Sequence, residues 1–224
     1  MAIIICVAYE QHRNHHIFFN FGTGDNLFGV DISIELDVPV VIPMKQDYLY
    51  WEFPAQVSQY LIDQLMTEAH TWPSESGRVG DQQVEAHNIR QVQTRAMSEY
   101  HPISLIMYAL GIKANQRCWQ YDITGPAQSE LLTYGAGGDR YDAHVDTARL
   151  SDHWVRKLTV ILMLNDQYEG GRFYFQTDLH HRQHITTKTG TVLVFPSHQM
   201  HGVEPLQSGT RHSVVSWLSG PDFK

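Results

Sequence analysis

The sequence predicts a mainly β fold with flanking helices, an α+β chain whose strands close into a sandwich or barrel. Two observations carry this. Between residues 116 and 219, short strand patterns recur, separated by Gly, Pro and Asn/Asp clusters. Between residues 50 and 115, the apolar spacing changes to that of helices. The length, 224 residues, suits one domain, and 42% hydrophobic with 18% charged residues excludes a disordered chain or a coiled coil.

Taken in order, Met1 to Tyr9 contains an apolar stretch, Ala2 to Ala8, with no basic residue before it. It is too short and wrongly flanked for a signal peptide and reads as a buried strand. His16 to Phe21 is a strand candidate. Val30, Ile32, Ile34, Leu36 and Val38 alternate with Asp31, Ser33, Glu35 and Asp37, the period of a half-buried strand. Gly22-Thr23-Gly24-Asp25-Asn26 between them is turn chemistry, so a hairpin is expected. Residues 1–49 thus read as a β-rich N-terminal extension packed on a main domain of residues 50–224.

Pro54 suits the first turn of a helix that carries Val57, Leu61 and Leu65 on one face. Pro102 starts a second, with Ile103, Ile106 and Leu110 inward and Gly111 as its stop. Ser74 to Gln93 is polar and reads as a surface loop, with a lid over a pocket as the alternative. Strands are then expected at Arg117–Ile123, Ser129–Tyr134, His144–Asp146, Lys157–Asn165, Arg172–Gln176, Thr191–Phe195 and Arg211–Leu218.

Sixteen Lys+Arg against 24 Asp+Glu leave a formal charge of −8. That surface has no long-range attraction for nucleic acid or an anionic membrane, so neither is an expected partner. No apolar run approaches the roughly 20 residues that span a bilayer. Two cysteines, Cys6 and Cys118, make no disulfide framework, so a reducing cytoplasm is the expected location. The 14 histidines are the compositional oddity. His12, His15 and His16, and separately His180, His181 and His184, read as surface histidines.

The chemistry concentrates in Tyr134-Gly-Ala-Gly-Gly-Asp-Arg-Tyr141-Asp-Ala-His144-Val-Asp146. On an extended chain His144 and Asp146 point the same way, so an imidazole and a carboxylate can share a metal. His201, past the strand Thr191–Phe195 and the turn that follows, is the candidate third ligand. Two histidines and one carboxylate on one face leave adjacent coordination positions open, the arrangement of non-haem Fe(II) oxygenases. Ten positions on, Arg211 opens the last strand and shares a face with Ser213, Val215 and Trp217. A guanidinium inside a barrel is costly unless an anion pairs with it, and its planar fork matches a carboxylate. A small dicarboxylic keto acid could bridge metal and arginine. Trp217 reads as core packing, with a pocket wall as the alternative. Arg149 and Arg156 read as solvated, with substrate contact as the alternative.

These motifs resemble the Fe(II)/2-oxoglutarate dioxygenase superfamily, and within it the prolyl-4-hydroxylase-like branch. The resemblance rests on Tyr134, Gly137 or Gly138, Tyr141, His144 and Asp146, then Met163-Leu164-Asn165 and Glu169-Gly170-Gly171-Arg172-Phe173. Gly190-Thr-Val-Leu-Val-Phe-Pro196, His201-Gly-Val-Glu-Pro205 and Gly209-Thr-Arg211 complete the run. It covers about residues 55 to 219. It implies a double-stranded β-helix, a distorted cupin-like jelly roll. It implies Fe(II) on His144, Asp146 and His201, and 2-oxoglutarate held by Arg211 and Tyr134. Tyr141 and Ser213 are further candidates for that cosubstrate, Ser213 standing in for a family tyrosine replaced here by Met163. O2 and ascorbate, the latter as reductant, are the implied co-reactants.

The implied activity is hydroxylation of an unactivated C–H, with release of succinate and CO2. A peptidyl proline is the expected substrate, with a free amino acid or natural product as the alternative. A non-catalytic cupin-like protein that holds a metal or ligand is the reading from a different class.

Overall fold

The computed structural model describes residues 16–23, 26–33, 49–76, 78–79, 84–85, 89–125, 127–151 and 153–223. Residues 1–46 and 47–224 form two compact units. In the first, β1 (His16–Thr23) pairs antiparallel with β2 (Asn26–Ser33), from His16 opposite Ser33 to Thr23 opposite Asn26. The expected hairpin is therefore present. Its second strand starts at Asn26 rather than Val30, because a short connection pairs the chain as soon as it turns. The strand expected at Met1–Tyr9, His12 and His15, and the end of the alternating run from Ile34 to Val38 lie outside the described residues.

The second unit begins with β3 (Trp51–Phe53), α1 (Gln59–Ala69), β4 (Glu75–Ser76), β5 (Arg78–Val79), β6 (Val84–Glu85), β7 (Arg90–Gln91) and β8 (Gln93–Met97). After α2 (Pro102–Cys118) come β9 (Gln128–Gly135), β10 (Arg140–His144), β11 (Arg149–Ser151) and β12 (Trp154–Met163). Then follow β13 (Glu169–Gly170), β14 (Phe173–Gln176), β15 (Arg182–Ile185), β16 (Val192–Pro196), β17 (His201–Val203), β18 (Leu206–Ser208) and β19 (Thr210–Pro221). One sheet runs β3-β16-β12-β19-β9-β8-β4, with β11 on β12, and a second runs β15-β14-β17-β10-β7. Every strand pairing in them is antiparallel. This is the expected mainly β architecture with helices.

The centre of the large sheet is buried on both faces, which is why β16 and the second half of β12 read as largely apolar runs instead of alternating ones. On one face Ile161, Val215 and Trp217 join Phe173, Phe175 and Val203 of the second sheet in a shared core. On the other lies α2, against β12, β16 and β19. The two faces of β12 and β19 thus have different tasks, and the one that meets the second sheet carries the pocket.

Both helices depart from expectation in detail. Ser58, not a position near Pro54, caps α1, its Oγ accepting from the Leu61 amide at 3.4 Å. The buried stripe is Ile62, Leu65 and Ala69, and Leu61 is half-buried. α2 starts at Pro102 with Ile103, Ile106 and Leu110 buried, as expected. Gly111 does not stop it. The helix presses there so close to β12 and β19 that a Cβ would lie 2.7 Å from Leu218 Cδ2 and 3.0 Å from Val160 Cγ2. The glycine serves packing, and the helix runs on to Cys118. Arg117–Ile123 is consequently no strand. Asn115 ends the helix by clasping Tyr121, its Nδ2 donating to the Tyr121 carbonyl at 2.8 Å and its Oδ1 accepting from the Tyr121 amide at 2.9 Å. Ser74 to Gln93 contains β4, which pairs with β8, the hairpin β5–β6, and β7, which pairs with β10.

Candidate functional site

β10 and β17 lie side by side with His144 opposite His201. Gly202 permits this contact, since a Cβ there would lie 2.7 Å from the Tyr141 carbonyl oxygen and 2.5 Å from the Tyr174 hydroxyl. β10 ends at His144, so Asp146 sits beyond the ladder, contrary to the strand expected through it. Its amide instead donates to the Ser197 carbonyl at 2.8 Å. The two-residue spacing still turns both side chains one way. His144 Nε2 lies 3.5 Å from Asp146 Oδ1, and His201 Nε2 lies 3.4 Å from Asp146 Oδ2. The donor atoms of the three residues lie within 4.8 Å of one another.

The far side of each imidazole fixes what the near side offers. His144 Nδ1 faces the Asp142 carbonyl at 2.8 Å, and His201 Nδ1 faces that of Gln199 at 2.9 Å. A carbonyl only accepts, so each Nδ1 carries a proton and each Nε2 is the nitrogen left to face Asp146 or a cation. Burial, reinforced by neighbouring His201, lowers the His144 pKa and keeps its imidazole neutral. Burial alone would raise the Asp146 carboxyl, but the two imidazoles hold it well below the usual carboxylate range. A neutral imidazole at His144 and an ionised carboxylate at Asp146 are the forms that donate to a divalent cation.

Arg211 stands across the pocket on β19, in register with Tyr134 on β9. It is 1% exposed, among the largest fully buried side chains. Its Nη1 donates to Ser213 Oγ at 3.1 Å and its Nη2 meets Met163 Sδ at 3.4 Å, while Nε has no partner. Its Cζ lies 5.1 Å from the Tyr134 ring centre. Among the described residues no carboxylate pairs with this cation, although an isolated buried charge is expensive. The residues fit an incoming anion. Tyr134 is kept as a protonated phenol, since burial raises its pKa against the opposing effect of Arg211.

The seven metal and cosubstrate candidates line one pocket: His144, Asp146, His201, Arg211, Tyr134, Tyr141 and Ser213; Arg149 and Arg156 are not among its lining residues. Leu132, Ile161, Phe173, Val203, Val215 and Trp217 supply its apolar wall. The parity expected on the last strand is met, and Trp217 is wall and core at once. Tyr141 stacks on His144, ring centres 3.5 Å apart at 14°. Burial raises its pKa as well. Glu169-Gly170-Gly171, expected as a tight turn, is instead the short strand β13 and the link that follows it, and its two glycines take φ of 74° and 56°.

Arg90, Thr159 and Ser197 were not anticipated at the site. Arg90 lines the pocket with its guanidinium 4.8 Å from the Tyr141 ring centre and 3.4 Å from Glu130. It lies on a two-residue strand inside a polar stretch, where no periodicity could single it out. Thr159 did carry a signal, a hydroxyl inside the apolar run of β12 on the parity of Ile161 and Met163.

Residues 129–219 match the family model of the 2OG-Fe(II) oxygenase superfamily. A PKHD-type hydroxylase of Synechococcus sp. (strain CC9902) is 37% identical over 92 residues, 40% of this chain and 40% of that protein. The match thus spans less than half of that relative. A prolyl hydroxylase from Trichoplax adhaerens, solved with a peptide fragment of the hypoxia inducible factor oxygen degradation domain, superimposes with a TM-score of 0.64 at 19% identity, covering 76% of this chain and 83% of that one. A Pseudomonas putida prolyl-4-hydroxylase gives a TM-score of 0.58 at 18% identity, covering 76% and 92%. The fold is therefore the expected double-stranded β-helix. The segment that resembles the 2OG-Fe(II) oxygenase superfamily, residues 129–219, carries Tyr134, the three clustered donor residues and Arg211 in the expected order.

Proposed function

We propose that the chain is an Fe(II)- and 2-oxoglutarate-dependent dioxygenase that hydroxylates an unactivated C–H of a peptidyl proline, releasing succinate and CO2. Residues 50–224 are its catalytic domain. The observation that carries the reading is the pairing of His144, Asp146 and His201 with a buried Arg211 across one apolar pocket. A metal site and a separate anion anchor on facing sheets suit a ligand with a keto acid at one end and a carboxylate at the other.

His144, Asp146 and His201 would hold the metal. Iron bound there supplies oxygen activation and Lewis acidity. Arg211 binds the distal carboxylate of 2-oxoglutarate, and Ser213 and Tyr134 fix the guanidinium between them. Tyr141 packs over His144 and closes that side of the pocket. The apolar wall keeps water from the reacting carbon. Ascorbate is the proposed reductant, and a reducing cytoplasm, in line with the two cysteines, the proposed setting.

The peptidyl substrate is favoured over a free metabolite by the fold likeness to prolyl hydroxylases. The test incubates the enzyme with Fe(II), 2-oxoglutarate, O2 and either proline-containing peptides or free amino acids. A mass gain of one oxygen on a peptide is expected, with succinate formed in step. Turnover confined to free amino acids would sink the peptidyl reading and leave the oxygenase reading standing. Absence of any 2-oxoglutarate-dependent oxygen uptake would leave a cupin-like binding protein instead.

A further inference from the structure

Resting on the metal reading above, we infer that Thr159 and Ser197 are positioning residues for the metal site: an ordered pair of buried hydroxyls, Ser197 to Thr159 to Asp146, that holds the Asp146 carboxylate in its ligating orientation. Thr159 lies on β12 in the large sheet, opposite Phe195 and Trp217. Both Thr159 and Ser197 are 0% exposed. Thr159 Oγ1 lies 2.8 Å from Asp146 Oδ2 and 3.1 Å from Ser197 Oγ.

The direction of this chain follows from counting protons. An ionised carboxylate only accepts. Thr159 has one hydroxyl proton, and the shorter contact to the anion takes it. The remaining hydrogen bond must then be donated by Ser197 to Thr159. One charge-assisted bond therefore orders two hydroxyls, and each polarises the next.

The same two residues hold the backbone that carries the carboxylate. Asp146 stands past the end of β10, where no ladder fixes it. The Ser197 carbonyl accepts from both the Asp146 and the Thr147 amides, at 2.8 and 3.1 Å, and the Ser197 amide donates to the Lys157 carbonyl at 2.9 Å. Ser197 thus ties the Asp146 segment to β12 by its main chain, and Thr159 orients the side chain from β12 itself. The histidines need no such support, since each is oriented by a carbonyl two residues away in sequence.

The test titrates metal-free protein with cobalt(II), followed by its visible absorbance, alongside thermal unfolding of the metal-free form. Thr159→Val keeps the shape and removes the hydroxyl. It should lower cobalt affinity roughly 10–100-fold, the loss found when groups that orient metal ligands are removed. Thr159→Ser keeps the hydroxyl and should stay close to wild type, as a side chain acting only through its methyl packing would not. Ser197→Ala, one bond further away, should weaken binding by less than Thr159→Val.

Wild-type affinity in Thr159→Val, or equal losses in the Ser and Val variants, would overturn the positioning role. If Thr159→Val does not fold, Ser197→Ala carries the test, and unchanged cobalt affinity there overturns the ordered pair. A wild-type protein that takes up no cobalt removes the metal reading itself, and the positioning role with it, so the two failures are distinguishable.

Discussion

Replacing Arg211 by Ala should raise the 2-oxoglutarate concentration needed for half-maximal turnover by about ten- to a hundredfold, while leaving metal affinity near wild type. A hydrogen bond to a charged group contributes about 1.5–3 kcal/mol, and each 1.4 kcal/mol is about tenfold in affinity. The guanidinium enters the reaction with its Nη groups on neutral acceptors, Ser213 Oγ and Met163 Sδ, and with Nε unspent. A thioether is a weak acceptor, so giving up the Met163 contact to a carboxylate costs little. Arg211→Lys should lose less than Arg211→Ala, because charge survives while the planar fork does not. Steady-state oxygen uptake against 2-oxoglutarate measures both. A further consequence separates this role from a structural one. A buried cation without a carboxylate partner destabilises the cosubstrate-free fold, so Arg211→Ala should unfold at a temperature no lower than wild type, apart from the cavity it leaves. Unchanged dependence on 2-oxoglutarate in Arg211→Ala would remove the anchor.

The residues that could be read in advance were those whose spacing survives folding. Arg211, Ser213, Val215 and Trp217 share a face because strand parity is local, and they line the pocket together. His144 and Asp146 point together for the same reason, even though the strand ends between them. What failed depended on partners far away in sequence. Gly111 looks like a helix stop until Leu218 and Val160 are seen against it. Arg117–Ile123 has the composition of a strand, but Asn115 captures Tyr121 and the chain never joins a sheet. Arg90 and Ser197 reach the site through pairing and turn geometry alone, β7 beside β10 and the loop beside Asp146. Short strands such as β13 and β18 carry too few residues to show a period.

Removing any of the three proposed metal ligands should have the largest effect of all. His144→Ala, Asp146→Ala and His201→Ala should each lower iron(II) affinity by more than the roughly 10–100-fold lost when an outer, orienting group is removed, and abolish measurable turnover. Fe(II) analysis of protein loaded without oxygen should give one equivalent per chain for the wild type and far less for each variant. The three need not behave alike towards stability. Asp146 is the anion that Thr159 and both imidazoles face, so Asp146→Ala leaves a buried hydroxyl without its acceptor and should destabilise the metal-free fold. His144→Ala removes an imidazole whose outer nitrogen bonds a carbonyl two residues away, and the fold around it depends on it less. Acidification gives an independent check on the same groups. With the His144 imidazole below its usual value, protons compete for it only under acidic conditions, so iron affinity should hold through neutral pH and fall once the pH drops below that of ordinary histidine titration. A His144→Ala protein that still holds one equivalent of iron would defeat the assignment. Affinity that stays level far below that pH would show that imidazole nitrogens do not hold the metal.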